Sequence, residues 1–143
     1  FINNFIKTNK KKEKELESQA DRIYEDDKFL VIKPKTEEAS CKYGSNTKWC
    51  VTSKGSGHFE RYTSNAQILY FIINKQNSTN QNYSKVAVHF NDEGRPTYWN
   101  SQDTPLSERE IDILEYYRYV FNIFYDDFFL NSLEKAQFFL ISL

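Results

Sequence analysis

The chain has 143 residues and a formal net charge of −1, from 19 basic and 20 acidic side chains; 39% of it is hydrophobic and 17% aromatic. That is the length of one ordinary domain, and such a chain buries about two-thirds of the surface its unfolded form exposes, so a core needs no staples. The charge balance excludes a globally basic nucleic-acid binder. Two cysteines exclude a disulfide scaffold and fit a reducing compartment, and no apolar run has the length of a membrane span or the flanks of a signal peptide.

The 12 Phe, 10 Tyr and 2 Trp predict a core of large flat side chains, with tyrosine hydroxyls that need partners or solvent. The chain contains no methionine and starts at Phe1, so it reads as a fragment, a processed product or the ordered part of something longer.

In chain order, Phe1, Ile2, Phe5 and Ile6 fall at helical spacing, and Lys10 to Tyr24 is rich in helix formers with a narrow stripe of Leu16, Ala20, Ile23 and Tyr24. Residues 1–27 therefore read as an N-terminal helical segment. Residues 28–103 read as an α+β core module. Within it Lys28 to Lys33 is a strand ended by Pro34, and Thr36 caps a brief helix that runs to Tyr43 and stops at Gly44. Thr47 to Ser53 reads as a second strand, Gly55 to Gly57 as a break, and His58 to Thr63 as a helical turn with Phe59 and Tyr62 on one side. Ala66 to Asn74 is a buried strand. Tyr83 to Phe90 alternates, with Val86, Val88 and Phe90 on one face, and Asn91 to Gly94 turns the chain into a last strand over Arg95 to Asn100. Residues 104–143 begin with Pro105 and a Ser107–Glu110 capping box, and predict two apolar helices over Ile111 to Tyr125 and Phe128 to Leu143. The expected fold is α+β in a single domain. It has a small central antiparallel sheet of about five strands, flanked by the N-terminal helix and two aromatic-rich C-terminal helices.

The chemistry-bearing residues are few. Cys50 is a candidate nucleophile with His58 or His89 as its base, but a cysteine acts only as thiolate and needs a neighbour that favours that form; the alternative is a small buried side chain beside a core tryptophan. Cys41, Cys50, His58 and His89 lack the short spacings of a structural metal site, and no metal or other cofactor is expected. His58-Phe59-Glu60 matches half of a zinc deaminase signature whose cysteine half is missing. Ser45, Asn46, Thr47, Lys48, Arg61, Asn100 and Gln102 form a candidate ligand-binding rim, provided the 44–48 loop and the 100–103 segment meet. The run Lys7 to Lys14 could touch phosphates, although interleaved glutamates favour a solvated helix face. The apolar C-terminal helices suggest a protein partner or a sister subunit.

Gly44-Ser-Asn-Thr-Lys-Trp-Cys-Val51, followed by the tyrosine turn at Phe59 to Tyr62, the strand Ile68 to Ile73, Lys85 to Val88 and Trp99-Asn100, carries a resemblance. Over residues 28 to 103 the chain resembles a domain of uncharacterised bacteriophage proteins with a G-x-x-T-x-W-C pattern. More distantly it resembles the PcfJ-like family of mobile elements, in which His stands where this chain has Trp49. The resemblance implies a phage or mobile-element source, in the host cytoplasm or the virion, and puts Cys50 at the pattern's centre. Neither family supplies an activity; the lack of any complete catalytic motif and the surplus of apolar aromatic helix lead to the reading of a non-enzymatic or accessory module that acts by binding, as a structural, host-interaction or counter-defence protein. The competing readings are a small transferase or hydrolase using Cys50, and a nucleic-acid contact through Lys7 to Lys14.

Overall fold

The computed structural model describes residues 2–76, 81–113 and 126–127. Helix α1 (Ile2–Ser18) leads into strands β1 (Ala20–Glu25) and β2 (Phe29–Pro34). Helix α2 (Glu37–Tyr43), a 3₁₀ turn at Cys50–Thr52 and helix α3 (His58–Thr63) follow. The chain then runs through β3 (Ile68–Asn74), a 3₁₀ turn at Gln81–Tyr83, β4 (Lys85–Phe90), β5 (Pro96–Trp99) and α4 (Glu108–Ile113). The five strands form one antiparallel sheet in the order β1-β2-β3-β4-β5, so the α+β class and the antiparallel sheet are as the sequence predicts. The expected helices over Ile111 to Tyr125 and Phe128 to Leu143 lie outside the described residues, apart from residues 111–113.

Two assignments change. The helix expected to reach Tyr24 ends at Ser18, and Ala20–Glu25 becomes an edge strand paired with β2. Its alternation is hidden by a bulge between Arg22 and Tyr24, which lets the adjacent Ile23 and Tyr24 pack against the same core cluster. Conversely, Thr47 to Ser53 is not a strand. Thr52 N and Thr52 Oγ1 both donate to the Trp49 carbonyl, and Ser53 N donates to the Cys50 carbonyl, so the backbone there closes locally into a 3₁₀ turn.

Helix α2 follows its sequence signals: Thr36 Oγ1 accepts from Ala39 N at 3.2 Å, and Gly44 ends the helix. At the start of α4 the expected capping box is present, with Glu110 N donating to Ser107 Oγ at 3.2 Å and Ser107 N to Glu110 Oε1 at 3.4 Å.

Strand alternation sorts the core into two layers. Phe29, Val31, Tyr70, Ile72, Val86, Val88 and Phe90 share one sheet face with Leu106. Leu30, Ile32, Leu69, Phe71 and Ala87 share the other, where α2, the 3₁₀ turn and α3 supply Ala39, Tyr43, Trp49, Val51 and Phe59. Burial on both faces explains why β2 and β3 read as unbroken apolar runs. Helix α1 buries no residue and leaves Ile2, Phe5, Ile6 and its lysines exposed. Among the described residues, no helix is long and apolar enough to cross a membrane.

Candidate functional site

The second layer is built around Trp49. Its indole is 3% exposed, lies 4.8 Å from the Phe71 ring centroid, and donates through Nε1 to the Asn100 carbonyl at 2.6 Å. The segment leading to it is tied down position by position. Gly44 has no room for a side chain, because a Cβ there would meet Thr52 Cγ2 and the Ser40 carbonyl. Asn46 adopts a left-handed conformation, φ 64°, which asparagine tolerates. Thr47 Oγ1 donates to the Gly44 carbonyl at 2.6 Å, and Lys48 N to the Ser101 carbonyl at 2.9 Å. Lys85, half-buried on β4, donates to the Ser45 carbonyl at 2.7 Å and to Ser45 Oγ at 3.2 Å. The 44–48 loop and the 100–103 segment thus meet.

Beside Trp49 lies a cleft of about 430 Å³, counting the part open to solvent. It is lined by Trp49, Cys50, Val51, Tyr62, Leu69, Ala87, His89, Trp99 and Asp103. Sheet register assembles its floor: Leu69 pairs with His89 across β3–β4, and Ala87 with Trp99 across β4–β5. Tyr62 enters from α3 with its ring edge-on to the His89 ring, 4.9 Å between centroids. Asp103 is presented by a turn organised on Asn100, whose Oδ1 accepts from Gln102 N and Thr104 N, both at 3.0 Å. That turn holds Asp103 at φ 64° with its side chain exposed.

The ionisable groups follow from this placement. Burial, then the charge of Asp103, push the Cys50 thiol up; weaker hydrogen bonds, one of them to the Tyr62 hydroxyl, pull the other way. Burial likewise raises Tyr62 and lowers His89. His89 is therefore neutral at neutral pH, and its tautomer is set by Gln67. Gln67 Nε2 donates to the carbonyls of Arg61 and Ser64, so its Oε1 faces His89 Nε2 at 3.0 Å and accepts that hydrogen. His89 Nδ1 remains an open acceptor, since no polar side-chain atom among the described residues is both buried and unpartnered.

No protein-family model, curated protein or solved structure matches the chain.

The structure distributes the sequence-derived candidates unevenly. Cys50 lines the cleft; His58 opens α3 and does not, while His89 does. Asn100 is buried and spends its side chain on the turn. Ser45, Asn46, Lys48, Arg61 and Gln102 are exposed or partly so and Thr47 is half-buried, but none of the six lines the cleft. Tyr62, Trp99 and Asp103 belong to it without having been singled out for chemistry. The one usable signal was alternation along β4, which sets His89 on the face opposite Val86, Val88 and Phe90. Cys41 is a free half-buried thiol that donates to the Thr52 carbonyl at 3.0 Å. No group of three or more His, Cys, Asp or Glu among the described residues could hold a metal ion. A second hollow of about 800 Å³ runs past Lys33, Lys35, Phe59 and Asn65. Its lysines already face acids, Lys33 with Asp127 at 3.6 Å and Lys35 with Asp21 at 3.0 Å.

Proposed function

We propose that this chain is a non-enzymatic binding module of bacteriophage or mobile-element origin, and that a partner protein engages it at the cleft between Trp49 and Trp99. The observation that carries the reading is the cleft itself: flat aromatic walls enclose a thiol that its surroundings do not activate. A nucleophilic cysteine needs a cation, a hydrogen-bonded base or a helix N-terminus long enough to favour thiolate. Cys50 has burial and a carboxylate instead, both of which raise its pKa, and no hydrogen bond joins it to a histidine. Pockets that bind by shape are apolar and aromatic with a few placed polar groups, which describes this one. The phage or mobile-element source rests on the resemblance over Gly44 to Val51.

The test is alkylation in a Cys41→Ser background, so that one thiol reports. Iodoacetamide at neutral pH is expected to label Cys50 clearly more slowly than free cysteine, because a raised pKa leaves less of the reactive thiolate. Labelling as fast as free cysteine in the folded protein would overturn the reading. It would restore the thiol-dependent transferase or hydrolase, with Cys50 as nucleophile and His89 in support.

A further inference from the structure

We propose that the cleft receives the guanidinium of an arginine side chain presented by a partner protein. This rests on the binding reading above and names the chemistry that the site would recognise.

The polar groups that the cleft leaves open are mainly acceptors. His89 Nδ1 is unprotonated and unpartnered, for the reason given by Gln67. The Asp103 carboxylate is exposed and has no hydrogen bond or ion pair to another described residue, and its charge reaches the Cys50 thiol and the Tyr62 hydroxyl. Donors are scarcer: Trp49 Nε1 is committed to the Asn100 carbonyl. The Tyr62 hydroxyl, which lies near the Cys50 thiol, and the indole N–H of Trp99 are the strong donors left over. Among the described residues, no lysine or arginine lines the space. A phosphate or carboxylate would therefore meet a like charge and few donors, whereas a cation with several N–H groups meets complementary acceptors.

The walls select among cations. Trp49, Tyr62 and Trp99 present flat apolar surface. A guanidinium is planar, weakly hydrated and able to stack on aromatic faces while its edge donates hydrogen bonds. An ammonium is a compact, strongly hydrated point charge that loses more on entering an apolar cleft. Two separate acceptors, a ring nitrogen and a carboxylate, also suit a forked donor better than a single one.

Both tryptophans of the chain line the cleft, so intrinsic tryptophan fluorescence reads occupancy directly. N-acetyl-arginine methylamide is expected to give a saturable change in the millimolar range. The citrulline and lysine analogues should bind at least about tenfold more weakly, the loss expected when a desolvated charge-assisted bond or the planar fork is removed. Asp103→Asn should weaken the arginine probe about tenfold as well. Asparagine tolerates the left-handed backbone at that position, so the variant should keep the fold. Equal binding of the citrulline analogue, or no effect of Asp103→Asn, would overturn the guanidinium assignment. So would binding of N-acetyl-phenylalanine methylamide but not of the arginine probe, an outcome that keeps the cleft as a binding site. Free arginine binding more tightly than its blocked amide would overturn the protein partner in favour of a metabolite. No saturable response to any of these probes would remove both the cleft and its occupant.

Discussion

At Gly44 the constraint is space. Its φ of −89° suits any residue, but a Cβ would overlap Thr52 Cγ2 and the Ser40 carbonyl and would crowd the Trp49 ring. The Gly44→Ala variant is expected to lose about 1–3 kcal/mol, the usual cost of overpacking a site that cannot relax, measured as a lower urea midpoint at unchanged slope. A loss below about 0.5 kcal/mol would mean that the 3₁₀ turn gives way easily, and the rigid seat for Trp49 would have to be abandoned. Neighbouring residues brace the same seat. Thr47 closes onto Gly44, and the Ser40 hydroxyl, fully buried in α2, donates to the Val51 carbonyl at 2.9 Å. Within Gly44 to Cys50 the small or special residues serve the backbone, Trp49 fills the core, and Cys50 opens into the cleft. This much was legible from sequence as a centre at Trp49-Cys50. The rest of the cleft was not. Trp99 and His89 arrive through sheet register, Tyr62 through the placement of α3, and Asp103 through a turn that Asn100 builds with its own side chain. Asn100 shows the limit of reading polar residues from sequence: its position beside the 44–48 loop was legible, but the consumption of its side chain by Gln102 N and Thr104 N was not.

At the scale of elements, what could be read was what local chemistry decides. Thr36 capping α2, the Ser107–Glu110 box and the apolar runs of β2, β3 and β4 all announce themselves within a few residues. Strand β1 did not, because its bulge destroys the period of two and its Glu- and Lys-rich approach looks helical. The segment around Trp49 and Val51 failed in the opposite sense: its alternation is real, but Thr52 and Ser53 close the backbone on itself. Helix α1 has the composition of a self-supporting solvated helix, and its contribution to the fold should match. It buries no residue, and the bonds that anchor the start of β1 belong to Gln19, whose carbonyl accepts from Lys35 N at 2.8 Å and whose Oε1 accepts from Thr36 Oγ1 at 2.8 Å. Removal of Ile2–Ser18, keeping Gln19, is expected to change the unfolding free energy by less than about 1 kcal/mol, since little apolar area returns to water. Thermal unfolding followed by circular dichroism checks this. Loss of a cooperative transition would show that α1 carries part of the core after all.

For the whole molecule, aromatic composition sets the response to pH. Tyrosine hydroxyls find carboxylates: Tyr24 with Asp26 at 2.6 Å, Tyr70 with Asp127 at 2.6 Å, and Tyr83 with Glu110 at 2.9 Å. The bonds of Tyr70 and Tyr83 favour the phenol over the phenolate, and in the first and third pairs the hydroxyl holds the carboxyl below its ordinary range. On the acid side, Asp26 and Glu110 are lowered chiefly by those hydroxyls, and Glu25 chiefly by Lys75. Their contribution is present above the unfolded carboxylate range of about 4 and is lost as pH falls through their lower folded values. His89 adds an earlier loss. Burial lowers it, so the unfolded chain takes up a proton first, and stability falls as pH drops through about 6.5 toward the folded value. On the alkaline side, Cys41, Cys50 and Tyr62 are raised chiefly by burial, and Tyr70 by burial and then Asp127; Tyr83 is raised chiefly by Glu110. The stability tied to the thiols is complete below about 8.5, that tied to the phenols below about 10, and both are lost as pH rises toward the folded values. Lys85 works the other way. Burial lowers it, so stability gains with pH just below about 10.4. Among the described residues one amine stands against two thiols and three phenols, so the alkaline limb should fall. Urea midpoints taken across pH are expected to be flat from about 7 to 8 and to decline on both sides, with Cys50→Ser making the first part of the alkaline decline shallower. A midpoint that kept climbing from about pH 8 to 10 would mean that Lys85 outweighs the buried thiols and phenols. The packing of Cys50 and Tyr62 against the cleft would then be looser than described.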